Sequence, residues 1–417
     1  MQKQVVSGDE VESILWNGGG AKEGALARLV ELVKAERSQG VEAEAFVRLV
    51  ERGTQCIDVR SPGEFLRGHV PGATNVPLFD NAERAAVGTC YKHSGRAAAM
   101  ALGMAKVSKK KEALWEALEA AAATGVACVY CWRGGLRSGA VAWLLRRRGT
   151  EVHCLAGGYK GFRRWVRGVV GDCVEASRRE DDRIDLALGG DEEKSDEEID
   201  CSRKPDPPVV IVAGRTGVGK TRVLRALRER GRQILDLEGL ANHRGSAFGW
   251  VSEQPSTEAF ENEVAMAWRR LDPTQPVFVE DEETHVGTCS VPKGLYAKMR
   301  DAELVGRLVA SLDQRVRVLV DDYADEDPAA LARRVEATTT RISKRLGGDR
   351  TKQALALVEA GDKKNFTRLL LAAYYDKLYD AHLAKRPRAV VDVQVPEADP
   401  YDADETARRF LEALNLL

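Results

Sequence analysis

Short apolar runs alternate with longer amphipathic stretches in the first half of the chain. Residues 55–59, 125–131 and 152–155 have the length and apolar content of buried strands. Residues 109–123, which lie between the first two runs, are rich in Ala, Leu and Glu and are predicted to be helical. This alternation predicts an α/β domain.

The second half repeats the same pattern with five apolar runs of strand length, separated by helical stretches. The predicted strands are residues 209–213, 233–237, 277–280, 316–320 and 390–395. The chain is therefore expected to contain two α/β domains.

The boundary between the two domains follows from a change in charge. Residues 175–206 hold 13 acidic and 6 basic residues and end in a proline-rich stretch, which is typical of a solvated linker. We predict a helical N-terminal extension over residues 1–42, one domain over 43–170, an acidic linker over 171–207 and a second domain over 208–417.

The near-zero net charge of the 417-residue chain hides this unequal distribution. The whole chain has 63 Lys+Arg and 64 Asp+Glu, a net charge of −1. Without residues 175–206 it has 57 basic and 51 acidic residues, a net of +6. With 44% hydrophobic residues, a wholly disordered chain is excluded, and a modest local positive surface is left for an anionic partner.

Cellular location is constrained by three absences in the sequence. No run of 18 apolar residues predicts a membrane span, and the first forty residues lack the apolar core of a signal peptide. Eight cysteines without regular spacing suit reduced thiols. We expect an intracellular protein, cytoplasmic and without a membrane partner.

A cysteine loop follows the second predicted strand. Cys131 precedes two glycines and the predicted helix of residues 139–148, so backbone N–H groups and a helix N-terminus would stabilise its thiolate and bind an anion. Arg133 and Arg137 add positive charge, and five residues separate Cys131 from Arg137, as in the loops of cysteine phosphatases. Cys128 lies inside the strand and is expected to be structural.

A phosphate-binding loop follows the strand of residues 209–213. The sequence there is G-x-x-x-x-G-K-T, in which backbone N–H groups and a lysine hold phosphate oxygens and a threonine reaches Mg²⁺. The candidate residues are Gly214, Thr216, Gly217, Gly219, Lys220 and Thr221. Two acidic pairs at predicted strand ends could complete a metal site, Glu280–Asp281 and Asp321–Asp322. We expect a Mg²⁺ ion held by Thr221 with Glu280 or Asp281.

Two further segments are candidates for substrate contact, although an ordinary loop and a solvated helix face explain them as well. The first runs from residue 236 to residue 249, and its candidates are Asp236, Glu238, His243, Arg244 and Ser246. In the second, Arg341 and Arg345 lie at four-residue spacing and could close over phosphates or an RNA backbone.

Several motifs together resemble one family. Residues 58–65 (DVRSPGEF) and 68–77 (GHVPGATNVP) resemble the rhodanese signature, and Arg60 within it is a further candidate for substrate contact. Added to these are ERAAVGT (83–89), the cysteine loop, GGYK (157–160), the phosphate loop, DLEGLANHRGSAFG (236–249) and EDE (280–282). The combination is similar to the tRNA 2-selenouridine synthase family, a rhodanese-like domain joined to a P-loop domain.

This resemblance implies a reaction, its partners and its donors. The family acts on tRNAs of the Lys, Glu and Gln types that carry wobble 2-thiouridine. A geranyl group from geranyl diphosphate is attached to the sulfur. Selenium from selenophosphate then replaces the sulfur together with its geranyl group. Cys131 matches the family's essential cysteine. The two donors are co-substrates, no tightly bound cofactor is implied, and the oligomeric state is left open.

The residues alone also allow two other interpretations. One is a rhodanese-type sulfurtransferase or a cysteine phosphatase fused to a P-loop kinase. The other is an RNA-binding or scaffold protein without catalysis. The presence of Cys131, Lys220 and Thr221 disfavours this interpretation.

Overall fold

The computed structural model describes residues 30–31, 40–171, 205–243, 253–322 and 342–417. These residues divide into two compact units, one that contains the described residues up to Val169 and one that contains those from Val170 onward. The predicted N-terminal extension and acidic linker lie mostly outside the described residues.

A four-stranded parallel sheet forms the centre of the first unit, with the strand order β2-β1-β3-β4. The strands are β1 (Gln55–Asp58), β2 (Ala73–Asn75), β3 (Val126–Tyr130) and β4 (Glu151–Cys154). Its helices are α1 (Ala43–Glu51), α2 (Pro62–Arg67), α3 (Asn81–Ser108), α4 (Lys111–Ala121), α5 (Leu136–Arg147) and α6 (Gly158–Val170). Val41 adds a single parallel bridge to Leu155, so the end of the predicted extension joins this sheet.

The strands of this sheet carry the apolar core. Ile57 of β1 and Val129 of β3 are fully buried and pack with Leu118 of α4 and Leu145 of α5. Burial on both faces explains why these strands are continuous apolar runs without alternation. Parallel strands also bring their carboxyl ends to one edge, where α/β folds bind ligands.

The second unit is built on a five-stranded parallel sheet with the order β11-β10-β5-β7-β6. Its strands are β5 (Val209–Gly214), β6 (Gln233–Leu235), β7 (Val277–Glu280), β10 (Leu304–Val309) and β11 (Val391–Gln394), and a separate hairpin consists of β8 (His285–Val286) and β9 (Cys289–Ser290). Phe278 and Phe410 meet edge to face in its core.

Helices flank this sheet and also form a small cluster of their own. The helices are α7 (Lys220–Glu229), α8 (Leu237–Leu240), α9 (Thr257–Arg269), α10 (Lys293–Asp301), α11 (Leu312–Asp322), α12 (Gly348–Glu359), α13 (Lys363–Leu370), a π-turn (Leu371–Tyr375), α14 (Asp376–Leu383) and α15 (Ala403–Ala413). Ile342, Leu346, Phe366 and Leu370 form a separate apolar core for the helical residues 342–375.

The prediction of two α/β domains is confirmed, and one predicted strand is wrong. Residues 316–320 belong to helix α11, and the strand is β10, which lies twelve residues earlier. The cause is a capping box that the apolar run concealed: the Ser311 amide donates to Gln314 Oε1 (2.8 Å) and the Gln314 amide to Ser311 Oγ (3.2 Å). The Asp321–Asp322 pair therefore ends a helix and does not follow a strand.

One smaller difference concerns the start of a helix. The helix predicted for residues 139–148 begins at Leu136, which places Arg137 and Ser138 in its first turn. Among the described residues, none of the helices is long and apolar enough to cross a membrane.

Candidate active site

Cys131 follows directly on the central strand β3, at the sheet edge where α/β folds bind ligands. Its Sγ accepts a hydrogen bond from the Gly135 amide (3.3 Å) and lies 3.2 Å from Ser138 Oγ. Gly135 ends the loop as its helix cap, and Ser138 lies in the first turn of α5. A thiolate here would be stabilised by N–H donors and a helix N-terminus. Cys128, by contrast, is buried within β3, and burial raises the pKa of its thiol to about 12.

The backbone of the loop is braced by the G-G-Y-K motif at the start of α6. The Tyr159 amide donates to the Cys131 carbonyl (2.8 Å), and the Lys160 amide donates to the Trp132 carbonyl (2.8 Å). Gly158 adopts a positive φ of 60°, and a Cβ on it would lie 2.3 Å from the Gly134 nitrogen. The motif therefore positions the cysteine loop and needs glycine there.

Arg60, a candidate substrate contact from the sequence, lies in a buried ion pair. Its side chain is fully buried, with Nη2 2.7 Å from Asp58 Oδ2 and 2.6 Å from the Gly68 carbonyl. Its guanidinium lies 3.8 Å from the centre of the Tyr159 ring. Arg60 thus neutralises Asp58 at the end of β1 and supports the residue that holds the Cys131 carbonyl.

Arg133 and Arg137 are both half-buried beside Cys131, one within the loop and one in the first turn of α5. Arg137 Nη1 lies 3.4 Å from Glu64 Oε2, a carboxylate of the rhodanese-like signature. Burial acts to raise the pKa of Glu64, but Arg137 and then Arg84 lower it below the usual value, so the carboxylate is charged. Sequence reasoning missed Glu64 and Arg84, because 73 residues separate Glu64 from Arg137.

The phosphate loop occupies the turn between β5 and α7, as predicted. Gly214, Gly217 and Gly219 all have positive φ angles, and Gly219 precedes the first residue of α7. Lys220 Nζ donates to the Gly214 carbonyl at 3.1 Å, which closes the loop on itself. The Thr216 carbonyl accepts a hydrogen bond from Arg315 Nη1 at 3.2 Å.

Three carboxylates gather next to this loop. Glu238, Glu280 and Glu282 each offer an oxygen, and these oxygens lie within 4.8 Å of one another. Thr221 Oγ1 donates to Glu238 Oε2 at 2.7 Å, which links the group to the phosphate loop. Burial and then the neighbouring Glu238 raise the pKa values of Glu280 and Glu282 well above the usual value.

Glu280 Oε1 is buried without a hydrogen-bond partner within the described residues. An unpaired buried carboxylate oxygen beside two further carboxylates is costly unless a proton or a cation compensates it. Carboxylate oxygens and a threonine hydroxyl are hard ligands, which suit Mg²⁺. The described residues therefore fit a divalent cation at this position.

Asp281, the other predicted metal ligand, has different partners. It forms a buried ion pair with Arg386, and His382 Nε2 lies 3.3 Å from its Oδ1. Burial tends to raise the pKa of Asp281, but the hydrogen bond with His382 and the charge of Arg386 lower it. Of the two alternatives from the sequence, the geometry favours Glu280.

Helix α14 contributes two carboxylates that bind arginines at the phosphate loop, and sequence reasoning missed both. Asp376 forms a bidentate pair with Arg315 (2.8 Å for both contacts), and Asp380 pairs with Arg215 of the loop itself (3.0 and 2.7 Å). The four-residue spacing of Asp376 and Asp380 places them on one helix face, but only the tertiary structure shows what this face meets.

The remaining predicted contacts have different surroundings. Asp236 caps α8 by accepting the Gly239 amide (2.6 Å), the local role that the sequence left open. His243 is buried, and burial lowers its pKa. Arg345 is exposed within the helical residues 342–346. Arg244, Ser246 and Arg341 lie outside the described residues.

Two family models match the chain, one over the unit that contains the cysteine loop and one over the unit that contains the phosphate loop. A rhodanese-like domain matches residues 42–164, and the tRNA 2-selenouridine synthase AAA domain matches residues 207–398. A tRNA 2-selenouridine synthase of Marinobacter nauticus is 33% identical over 387 residues, which cover 85% of this chain and 95% of the relative. The chain belongs to the tRNA 2-selenouridine synthase family. The resemblance described from the motifs is confirmed.

Other tRNA 2-selenouridine synthases give the same result. The protein of Pseudomonas fluorescens is 34% identical and covers 78% of this chain and 87% of its own, and that of Hydrogenovibrio crunogenus is 33% identical over 83% and 93%. The match to the tRNA 2-selenouridine synthase family therefore extends through both units and includes the cysteine loop and the phosphate loop.

Proposed function

We propose that this protein converts wobble 2-thiouridine in tRNAs of the Lys, Glu and Gln types to 2-selenouridine through an S-geranyl intermediate. The observation that carries the proposal is the presence, in one chain of this family, of a thiol beside N–H donors and a phosphate loop beside three carboxylates. Sulfur replacement needs two different chemistries, one at a diphosphate and one at selenium, and the two sites match them.

In the first step the phosphate loop holds the diphosphate of geranyl diphosphate. The thione sulfur forms a bond to the terminal carbon of the geranyl group, the carbon–oxygen bond breaks, diphosphate leaves and the uracil N3 proton is released. Lys220 and the loop amides stabilise the negative charge that develops on the diphosphate. The same loop would serve a kinase, but here it binds the leaving group of an alkylation.

A divalent cation fits the first step. Thr221, Glu238, Glu280 and Glu282 would hold it, and when bound it supplies a positive charge that favours departure of the diphosphate. The oxygens that these residues present agree with this choice, because Glu280 Oε1 otherwise remains buried and unpaired within the described residues.

In the second step selenium replaces the S-geranyl group. Alkylation turns the sulfur into a leaving group: the selenium of selenophosphate bonds to carbon 2 of the base, the carbon–sulfur bond breaks and geranyl thiol departs. Water then cleaves the phosphorus–selenium bond, which releases phosphate and leaves 2-selenouridine with its N3 proton restored. Cys131 guides the donor, because the Gly135 amide and the start of α5 favour an anion at that position. Arg133 and Arg137 contribute the charge that attracts the phosphate part of this donor.

The two steps can be separated by single variants. Lys220→Ala should reduce S-geranylation by at least about tenfold, because it removes a charged contact to the diphosphate. Cys131→Ala should stop selenation and let S-geranyl tRNA accumulate. The assay incubates each purified variant with 2-thiouridine tRNA, geranyl diphosphate and selenophosphate, and quantifies the nucleosides by mass spectrometry.

Controls exclude loss of the fold or of tRNA binding. Each variant is checked by circular dichroism and by a tRNA filter-binding assay before its activity is interpreted. Unchanged geranylation in Lys220→Ala would overturn the role of the phosphate loop, and loss of both steps in a folded Cys131→Ala protein would overturn the separate role of Cys131. Release of phosphate from a generic aryl phosphate without any tRNA product would favour the phosphatase–kinase alternative.

A further inference from the structure

Glu64 Oε2 is shared by two arginines beside the cysteine loop. It lies 3.4 Å from Arg137 Nη1 and 3.7 Å from Arg84 Nε, and the Ser61 amide donates to it at 3.0 Å. Between 15% and 18% of each of the three charged side chains is exposed. The group is therefore partly desolvated, and its charges are less screened than those of a surface ion pair.

Arg84 comes from α3, a helix that packs in the same apolar cluster as Cys131. Val87 and Tyr91 follow Arg84 by three and seven residues on the same helix face, and both pack in the apolar cluster that includes Cys131. The proposed function assigns no role to the ERAAVGT motif. The motif brings the Arg84 guanidinium to the same carboxylate oxygen that Arg137, in the first turn of α5, approaches.

We propose that Arg84 is a further ligand for the tetrahedral oxyanion that the Cys131 loop receives, and that Glu64 is the residue that positions Arg84 and Arg137 for it. The inference deepens the proposed function, since in that reaction the oxyanion is the phosphate part of the selenium donor.

The charges of the group support an anionic ligand over a purely structural ion pair. Two guanidinium groups approach the same carboxylate oxygen, and the neighbouring cysteine loop brings a third guanidinium, that of Arg133. Ser61 donates to Glu64 through both its amide and its hydroxyl (3.0 and 3.1 Å), so the carboxylate is held by the backbone independently of either arginine. A fixed carboxylate of this kind restricts flexible arginine side chains and lowers the entropy cost of binding an oxyanion.

The test measures anion binding at Cys131 without any tRNA chemistry. Inorganic phosphate is the probe, and the readout is how strongly it slows alkylation of Cys131 by iodoacetamide in the full-length protein, quantified on the Cys131 peptide by mass spectrometry. Because this readout is local, phosphate bound at the second unit's loop does not contribute. Wild-type protein gives the reference dissociation constant.

Arg84→Gln should raise this dissociation constant about tenfold, the usual effect of losing one charge-assisted hydrogen bond. Arg84→Lys should recover part of the loss, because it keeps the charge without the guanidinium geometry. The matched control is Arg48→Gln, which removes an arginine from an exposed Glu44–Arg48 pair of the same unit and should leave the constant unchanged.

Glu64→Gln separates positioning from simple electrostatics. Removing a negative charge should tighten phosphate binding if charge alone matters, whereas loss of positioning should weaken it about threefold or more. Tighter binding in Glu64→Gln would overturn the positioning role, and an unchanged constant in Arg84→Gln would overturn the ligand role. A weaker tRNA affinity of Arg84→Gln with unchanged phosphate protection would assign Arg84 to the RNA backbone instead and reject the proposal.

The same samples distinguish this inference from the proposed function. If wild-type protein selenates tRNA but phosphate protection does not depend on Arg84, the inference fails and the function stands. If phosphate protection depends on Arg84 but no donor yields selenated tRNA, the oxyanion site stands and the proposed function fails.

Discussion

Gly158→Ala tests whether the G-G-Y-K motif controls the cysteine loop. The new Cβ would lie 2.3 Å from the Gly134 nitrogen, 2.5 Å from the Cys131 carbonyl oxygen and 2.7 Å from the Arg133 carbonyl carbon. All three atoms belong to the backbone, so no side-chain rotation relieves the contacts, and the loop that carries Cys131 must move.

The magnitude follows from two separate costs. An alanine at a φ of 60° costs about 1–2 kcal/mol, and overpacking against backbone adds about 1–3 kcal/mol. We therefore expect Gly158→Ala to lower the free energy of unfolding by about 2–5 kcal/mol. The matched control is Gly149→Ala, where φ is 89° but nothing lies within 4 Å of the new Cβ, so only the first cost applies.

Two assays measure the outcome. Urea unfolding followed by circular dichroism compares Gly158→Ala with Gly149→Ala, and nucleoside mass spectrometry compares selenation with S-geranylation in both. Gly158→Ala should lose selenation and keep geranylation, because only the first unit is disturbed. Equal stability and equal selenation in the two variants would refute the role assigned to Gly158.

Two further predictions concern buried charges. Arg60→Met should lower the free energy of unfolding by about 3–5 kcal/mol, because it leaves Asp58 buried and unpaired. The double variant Arg60→Met with Asp58→Asn should recover most of this loss. An unchanged stability with a raised KM would instead restore Arg60 as a substrate contact. Burial raises the folded-state pKa values of Glu280 and Glu282 above the usual 4.5, so in EDTA the protein should lose stability as pH rises above about 4.5, and Glu280→Gln should reduce this loss and leave the part that Glu282 contributes. Thermal unfolding between pH 4.5 and 8 measures it; Mg²⁺ should stabilise the wild type and not Glu280→Gln, and a variant that keeps the full pH dependence would contradict the assignment.

Local motifs allowed both loops to be predicted. In the phosphate loop and the cysteine loop, the glycines, the functional residue and the start of the helix all lie within eight consecutive residues, and the chain's own geometry brings them together. The same holds for the Asp236 cap of α8. A local signal was also present where the prediction failed, because Ser311 and Gln314 form a capping box that outweighs the apolar run of residues 316–320.

Contacts between distant residues could not be predicted from one sequence. Arg60 lies in a motif that suggests substrate contact. Its burial depends on Gly68 and on Tyr159, which comes from a helix about a hundred residues later in the chain. Glu64 meets Arg137 only because β1 and β3 are neighbours in the sheet. No periodicity along the chain encodes such a meeting, since strand order is set by the packing of the whole domain.

The sequence by itself determined the two α/β domains, the family and the two reactive loops, because each depends on residues that are close along the chain. Only the tertiary structure decided which side chains complete each site. Glu238 and Glu280 are 42 residues apart, and they meet beside Thr221 because β7 lies between β5 and β6 and the three parallel strands end at the same sheet edge. The cost of burying like charges then makes that meeting chemically specific, since it leaves a carboxylate oxygen that requires a proton or a cation.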